Sequence, residues 1–130
     1  MKIYTSYFGQ LKNLQKYNII PIAICRFLPK YYNGLIYQNI APSVDILNNC
    51  KNSHFEYVQR FNNEILNQLS PLDVYNDLIT LTNNNDCALL CYEKTGFCHR
   101  FLVSDWLNNN INLNISEYNP NSILLNNPLF

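Results

Sequence analysis

Charge is scarce in this sequence. Only 14% of its 130 residues are Asp, Glu, Lys or Arg, and the formal net charge is zero. Proteins that grip a phosphate backbone usually carry a basic face, so composition argues against duplex nucleic acid as a partner. Glycine is scarcer still, at 3 residues, and none falls in a G-x-G-x-x-G or G-x-x-x-x-G-K-[ST] pattern. The glycine-rich phosphate loops of dinucleotide-binding and P-loop proteins are thereby excluded. No apolar run is long enough to cross a bilayer, and the opening "MKIYTSYFGQ" has a lysine but no apolar segment of the signal-peptide kind. The expectation is a soluble, unexported, cytoplasmic protein with no membrane contact.

The cysteines are five, an odd number: Cys25, Cys50, Cys87, Cys91 and Cys98. Cys25 and Cys87 lie in or beside apolar runs, where free thiols behave as small hydrophobes. A chain of this length can stand on one hydrophobic core without a disulfide framework, and a reducing compartment fits. The "NIS" sequon at Asn114 to Ser116 has no consequence without a signal peptide. The abundance of Asn, Ile, Tyr and Lys points to a coding sequence rich in A and T.

Periodicity lays out one α/β domain over residues 1–118, followed by a tail, 119–130, that packs or stays flexible. "KIYTSY" is a short strand, and Phe8, Leu11 and Leu14 continue it at helical spacing. "NIIPIAICRF" reads as a strand covered on both faces, with Pro21 marking a strand start or an edge. The stretch from Leu28 to Asn52 is too long for a plain connection and reads as a covering loop holding Tyr31, Tyr32 and Tyr37, with a short helix from Ser43. Ser53 and Glu56 form a capping box for a helix facing inward through Phe55, Val58, Phe61, Ile65 and Leu69. Ser70, Pro71 and Asp73 open the next helix, with Leu72, Tyr75, Leu78 and Ile79 inward. "CALLCYE" is a buried strand, "CHRFLVSDWLNNN" a helix buried through Phe101, Leu102, Val103 and Trp106, and "INLNISEY" an alternating strand. This order predicts a three-layer α/β/α sandwich around a mostly parallel sheet of about four strands, Rossmann-like in type.

The chemistry concentrates in "CYEKTGFCHR", residues 91–100. In open α/β sheets the ligand crevice lies beyond the carboxyl ends of the strands. That places Ser6, Tyr7, Arg26, Cys91 and Glu93 on one rim with Cys98, His99 and Arg100. A helix starting near Cys98 aims its unpaired N–H groups and positive dipole end at that rim, and Arg26 and Arg100 are then positioned to hold a planar anion. The same field, with His99 and Arg100 adjacent, favours the thiolate of Cys98 as nucleophile, while Glu93 or His99 serves as general base.

Each of these residues has a plainer role open to it. Cys98 is equally a helix-start packing residue, Cys91 a core residue of a buried strand, and Glu93 with Arg100 an ion pair that fixes the turn. Arg26 marks the end of a strand, and His54 sits in a solvated first turn. A zinc clip from Cys91, Cys98 and His99 matches no standard paired knuckle and lacks an obvious fourth ligand, so neither a metal nor a cofactor is expected.

"ALLCYEKTGFCHRFLVSDWL" resembles the signature of the small bacterial and phage proteins grouped as domain of unknown function 488. There, a strand ending in Leu-Cys-x-Glu leads through a short turn to Cys-His-Arg and a helix. "IYTSYFGQLKNL", "IAICRFLPKYYNG", "IAPS" and "ISEY" are similar to further parts of that family, so the resemblance runs to Tyr118. It implies a three-layer α/β fold and a polar site on Cys91, Glu93, Cys98, His99 and Arg100, and it supplies no reaction.

Two functions of different class follow from the residues. One is an enzyme acting on a phosphate-bearing or nucleotide-like small molecule through Glu93, Cys98 and His99, with Ser6, Tyr7, Arg26, Cys91 and Arg100 around the anion. The other is a protein that senses or sequesters such a ligand, or grips a host partner, without turnover. The oligomeric state is not written in the sequence.

Overall fold

A computed structural model describes residues 1–121 of the chain, so most of the C-terminal tail, including Ile123 to Leu125, lies outside the described residues. The β-branched and aromatic run "IYTSY" forms β1 (Ile3–Tyr7), and a 3-10 turn, Phe8–Gln10, leads into α1 (Leu11–Lys16). β2 (Ile20–Ala23) is followed by the covering loop, and α2 (Val44–Asn49) closes that loop. Next come α3 (His54–Glu64), α4 (Pro71–Thr82), β4 (Cys87–Cys91), α5 (His99–Ile111) and β5 (Ser116–Glu117). The covering loop also holds a strand that alternation alone does not announce, β3 (Leu35–Ile36). The sheet therefore has five strands rather than about four, in the order β3-β2-β4-β1-β5, and every pair is parallel.

A parallel sheet must be covered on both faces, because its crossover helices lie there. β4 is buried at all five positions, and its alternation divides the core. Cys87 and Leu89 join Ile3, Ile22, Ile24, Phe61, Leu78 and Leu107, whereas Ala88 and Leu90 join Ala23, Cys25, Phe8 and Leu14. Pro21 lies on an interior strand, yet β3 pairs with β2 only from Ile22, so no ladder bond asks Pro21 for a donor.

Local signals set most helix starts. Ser43, Ser53 and Ser70 each accept a hydrogen bond from the backbone N–H three residues on, at 3.1, 3.1 and 3.3 Å. Left-handed asparagines end several segments: Asn83 (φ 54°) stops α4, Asn112 (φ 54°) stops α5, and Asn18 (φ 58°) turns the chain after α1. Beyond Asn112 the chain is held by Asn108, whose side chain both donates to the Ile115 carbonyl (3.0 Å) and accepts from its N–H (2.8 Å). That clasp leaves only Ser116 and Glu117 paired with β1, so the closing strand is far shorter than "INLNISEY".

Three inward faces differ from the periodic reading. Phe55 is 73% exposed and Leu72 54% exposed, because the inward stripe of α3 runs through Tyr57, Phe61 and Ile65, and that of α4 through Val74, Leu78 and Thr82. On α5 the fully buried apolar residues are Val103 and Leu107, while Phe101, Leu102 and Trp106 are only half-buried. Replacing Phe55 with Ser is accordingly expected to change stability by no more than about 0.5 kcal/mol, as for most surface positions. A urea melt showing a loss above about 2 kcal/mol would place Phe55 in the core after all.

Candidate functional site

Parallel pairing puts the carboxyl ends of β2 and β4 side by side, with Ala23 in register with Leu90. Each chain then turns off the sheet: β2 continues to Cys25 and Arg26, and β4 into the turn that ends at the start of α5. Between them opens a crevice of about 260 Å³. Its polar groups are Arg26, Glu93, His99 and the three thiol positions Cys25, Cys91 and Cys98. Its walls are aromatic, from Phe27, Tyr57, Tyr92 and Phe97. A larger depression of about 570 Å³ lies at the opposite edge, around Ile20, Asn85 and the loop tyrosines Tyr31 and Tyr32. It offers amides and phenols but no carboxylate, thiol or imidazole, so the smaller crevice is the better equipped for chemistry.

His99 begins α5 and is buried. One ring nitrogen, Nε2, lies 2.6 Å from the Ile24 carbonyl, which can only accept, so Nε2 carries the proton. Nδ1 then carries the lone pair, and Cys91 Sγ lies against the side of the ring, 3.5 Å from Nδ1 and 3.9 Å from Nε2. Burial is the main cause that lowers the His99 pKa to about 4, and the neighbouring Arg100 charge lowers it further against the opposing bond to Ile24. The imidazole is neutral at physiological pH. Phe61 meets its ring edge-on at 5.7 Å and holds its orientation.

Cys98 is the N-cap of α5, and its side chain makes no capping bond. Its sulfur is instead joined to that of Cys91, with Cα atoms 7.0 Å apart. The sulfurs of Cys91 and Cys98 and a ring nitrogen of His99 all lie within 4.8 Å of one another, and all three residues are buried. Cys25 stands apart from this cluster. Its thiol donates to the Leu90 carbonyl at 3.3 Å, and burial, followed by the Glu93 charge, pushes its pKa up to about 12. It is a packing thiol.

Arg26 reaches the crevice from the far side in sequence. Its Nε donates to the Pro42 carbonyl at 3.0 Å and Nη2 approaches the Gln38 carbonyl at 3.4 Å. Gln38 answers by donating to the Arg26 carbonyl at 3.0 Å, so the pair laces the covering loop onto the end of β2. Among the described residues, no carboxylate lies within ion-pair distance of Arg26, whereas Arg60 and Arg100 are both paired.

Arg100 does not line the crevice. Instead of standing free to hold an anion, Arg100 is fully buried, bonded in fork geometry to Glu117 at 3.1 and 3.0 Å, and it donates to the Glu93 carbonyl at 2.6 Å. α5 turns its first residue toward the crevice and its second behind the turn, where β5 supplies the carboxylate. Ser6 and Tyr7 also lie away from the crevice. Ser6 is buried within the sheet, and Tyr7 presents its ring to Arg100 at 5.9 Å. The structure thus brings together Arg26, Cys91, Glu93, Cys98 and His99 around the crevice, while Ser6, Tyr7 and Arg100 do not line it: Arg100 meets Glu93 through the backbone carbonyl and Tyr7 pairs with Cys91 along the sheet.

The four aromatic wall residues, Phe27, Tyr57, Tyr92 and Phe97, escaped sequence reasoning as site residues. Tyr57 and Phe97 meet edge-on at 4.9 Å, and Phe97 also stacks on His54 at 4.6 Å. Burial raises the Tyr57 pKa, so its hydroxyl stays protonated. The signal for Tyr57 was its spacing of four from Phe61; Phe97, in an irregular turn, left none.

The profile of the family DUF488-N3a, described as the active DUF488-N3 subclade, matches residues 12–111. The chain belongs to this family. The matched DUF488-N3a region takes in α1 from its second residue, β2, all of the covering loop, β4 and α5, and hence every crevice residue named above. No curated protein and no solved structure matches the chain. No helix among the described residues is long and apolar enough to cross a membrane.

Proposed function

We propose that the crevice takes a phosphate-bearing or nucleotide-like small molecule and that the chain acts on it. The observation carrying this reading is Arg26: a guanidinium with no carboxylate within ion-pair distance among the described residues, at the wall of an aromatic crevice that also holds an acid, an imidazole and the joined sulfurs of Cys91 and Cys98. An unneutralised guanidinium favours an anionic ligand, and flat aromatic faces favour a base or similar ring. The crevice is smaller than the roughly 300–1,000 Å³ of a drug-sized site, which suits one nucleotide better than a dinucleotide.

In this reading Arg26 orients the anion and Phe97 and Tyr57 flank the ring. Glu93, exposed at the mouth, moves a proton, and His99 with Cys98 completes the floor. That the matching subclade is described as active supports turnover. The buried free thiols Cys25, Cys50 and Cys87 suit a reducing cytoplasm, and the bacterial or phage setting rests on the family resemblance. Binding without turnover, as a sensor, a sequestering protein or a phage-type factor gripping a host partner, is the second reading. It is favoured by the internal pairing of Arg100 with Glu117, which leaves the crevice one cation.

Native mass spectrometry of the purified chain, alone and with nucleoside mono- and diphosphates, tests both. One ligand per chain is expected, with affinity falling at least tenfold in Arg26→Met. Conversion of the bound ligand on incubation selects the enzyme, and an intact ligand selects the binder. Binding unchanged in Arg26→Met, or none across the panel, overturns the proposal.

A further inference from the structure

We propose that Cys91, Cys98 and His99, in the reduced protein, bind a zinc ion as a Cys2His site whose fourth position opens into the crevice. The inference is independent of which small molecule the crevice takes.

Three observations carry it. The donor set is right: two sulfurs and an imidazole nitrogen, all buried and within 4.8 Å of one another, are the soft and borderline ligands that select zinc over magnesium or calcium. The tautomer is right as well. A zinc-bound histidine commonly donates its other ring N–H to a carbonyl or carboxylate, and His99 gives Nε2–H to the Ile24 carbonyl at 2.6 Å. Nδ1 is thereby free of its proton, and because Cys91 Sγ lies against the side of the ring, 3.5 Å from Nδ1 and 3.9 Å from Nε2, the imidazole must turn to bring that lone pair onto a metal shared with the sulfur.

The spacing is the third. Tetrahedral zinc, with Zn–S of about 2.3 Å and Zn–N of about 2.0–2.1 Å, separates a sulfur from a nitrogen ligand by about 3.5 Å. Cys91 Sγ and His99 Nδ1 are 3.5 Å apart. The two sulfurs must part to about 3.8 Å in the same geometry. Their Cα atoms, at 7.0 Å, already stand beyond the usual disulfide range of roughly 4.4–6.8 Å, so the side chains can open without moving the backbone. The two ends of the site are well anchored, Cys91 as the last residue of β4 and Cys98 as the N-cap of α5, where the helix N-terminus favours thiolate.

Loading balances as follows. A dithiol reductant delivers two electrons and two protons to the joined sulfurs, giving two thiols and leaving the reductant as a disulfide. Zinc then displaces both thiol protons, and neutral His99 contributes its lone pair without proton loss. Two protons leave per metal bound, and the two thiolates neutralise the dication. Oxidation of the pair and metal binding are mutually exclusive.

The test uses the full chain with zinc or cobalt(II) alone and no small molecule, so its failure and that of the ligand reading are told apart. The reduced protein, loaded and passed through gel filtration, is expected to retain one zinc per chain and release two protons. With cobalt(II) it should show thiolate charge-transfer and tetrahedral d–d absorption. Diamide-oxidised wild type keeps the same fold without thiolates and is expected to retain less than one-tenth of that metal, as is Cys98→Ser. Less than one-tenth of a metal on the reduced wild type, or full retention by the oxidised protein, overturns the site.

Discussion

Replacing Arg100 with Ala is expected to cost about 3 kcal/mol of stability and to lower the melting temperature by roughly 10 °C. The guanidinium is fully buried and holds three elements at once: Glu117 of β5 through two bonds, the Glu93 carbonyl in the turn, and α5 itself. Truncation leaves the carbonyl unpaired in the interior and strands Glu117, which also accepts from Thr5 at 2.7 Å. The figure is set at the low end for a broken buried pair because the Glu117 side chain is 34% exposed and water takes up part of its charge. Lysine is not a substitute, since one ammonium cannot span both carboxylate oxygens and the turn. A denaturant melt in which Arg100→Ala unfolds like wild type would return Arg100 to the surface. Glu117→Gln should cost less, because it leaves a neutral acceptor in place.

The second large effect is expected at Phe61. This ring is fully buried, and its loss to Ala should cost about 3–5 kcal/mol, the usual range for a core aromatic. Its particular interest is position. Phe61 stands between Tyr57, 6.1 Å away on the crevice wall, and His99, 5.7 Å away on its floor. Phe61→Leu should retain much of the stability, with a loss nearer 1–1.5 kcal/mol, yet free the imidazole to tilt. The readout is the His99 ring signals in NMR: in wild type they should report a single orientation held by Ile24, and in Phe61→Leu they should broaden or shift. A sharp, unshifted ring in the variant would show that Phe61 supports the fold only.

Much of this was legible in the sequence, for reasons that differ from element to element. Ser43, Ser53 and Ser70 announced their helices because capping is local, decided within four residues. The parallel sheet was legible because "IAIC" and "CALLC" are too continuously apolar for a strand with one wet face. The meeting of Arg26 with Cys91, Glu93, Cys98 and His99 followed from topology, since parallel strands end on one edge.

What failed depends on distance along the chain. The burial of Arg100 needs Glu117, and nothing local says that β5 brings a carboxylate to it. β3 is two residues long and is defined by its pairing with β2, so period-two alternation cannot reveal it. Phe55 and Leu72 were misassigned because an apolar residue in a helix's first turn fits two neighbouring stripes equally well, and only packing chooses. Cys91, read as core, is indeed buried, but its sulfur faces the imidazole rather than a hydrocarbon wall.

The left-handed asparagines join the fold to the genome that encodes it. Asn18, Asn83, Asn84 and Asn112 occupy backbone positions that glycine would ordinarily fill, and asparagine is the side chain that tolerates them best. Glycine codons begin with two guanines, whereas asparagine codons begin with two adenines. A gene drifting toward A and T therefore has a route by which turns and helix ends lose their glycines without losing their shape. At these few dihedral angles the two residues are interchangeable, so a nucleotide bias can enter protein architecture there without altering the path of the backbone.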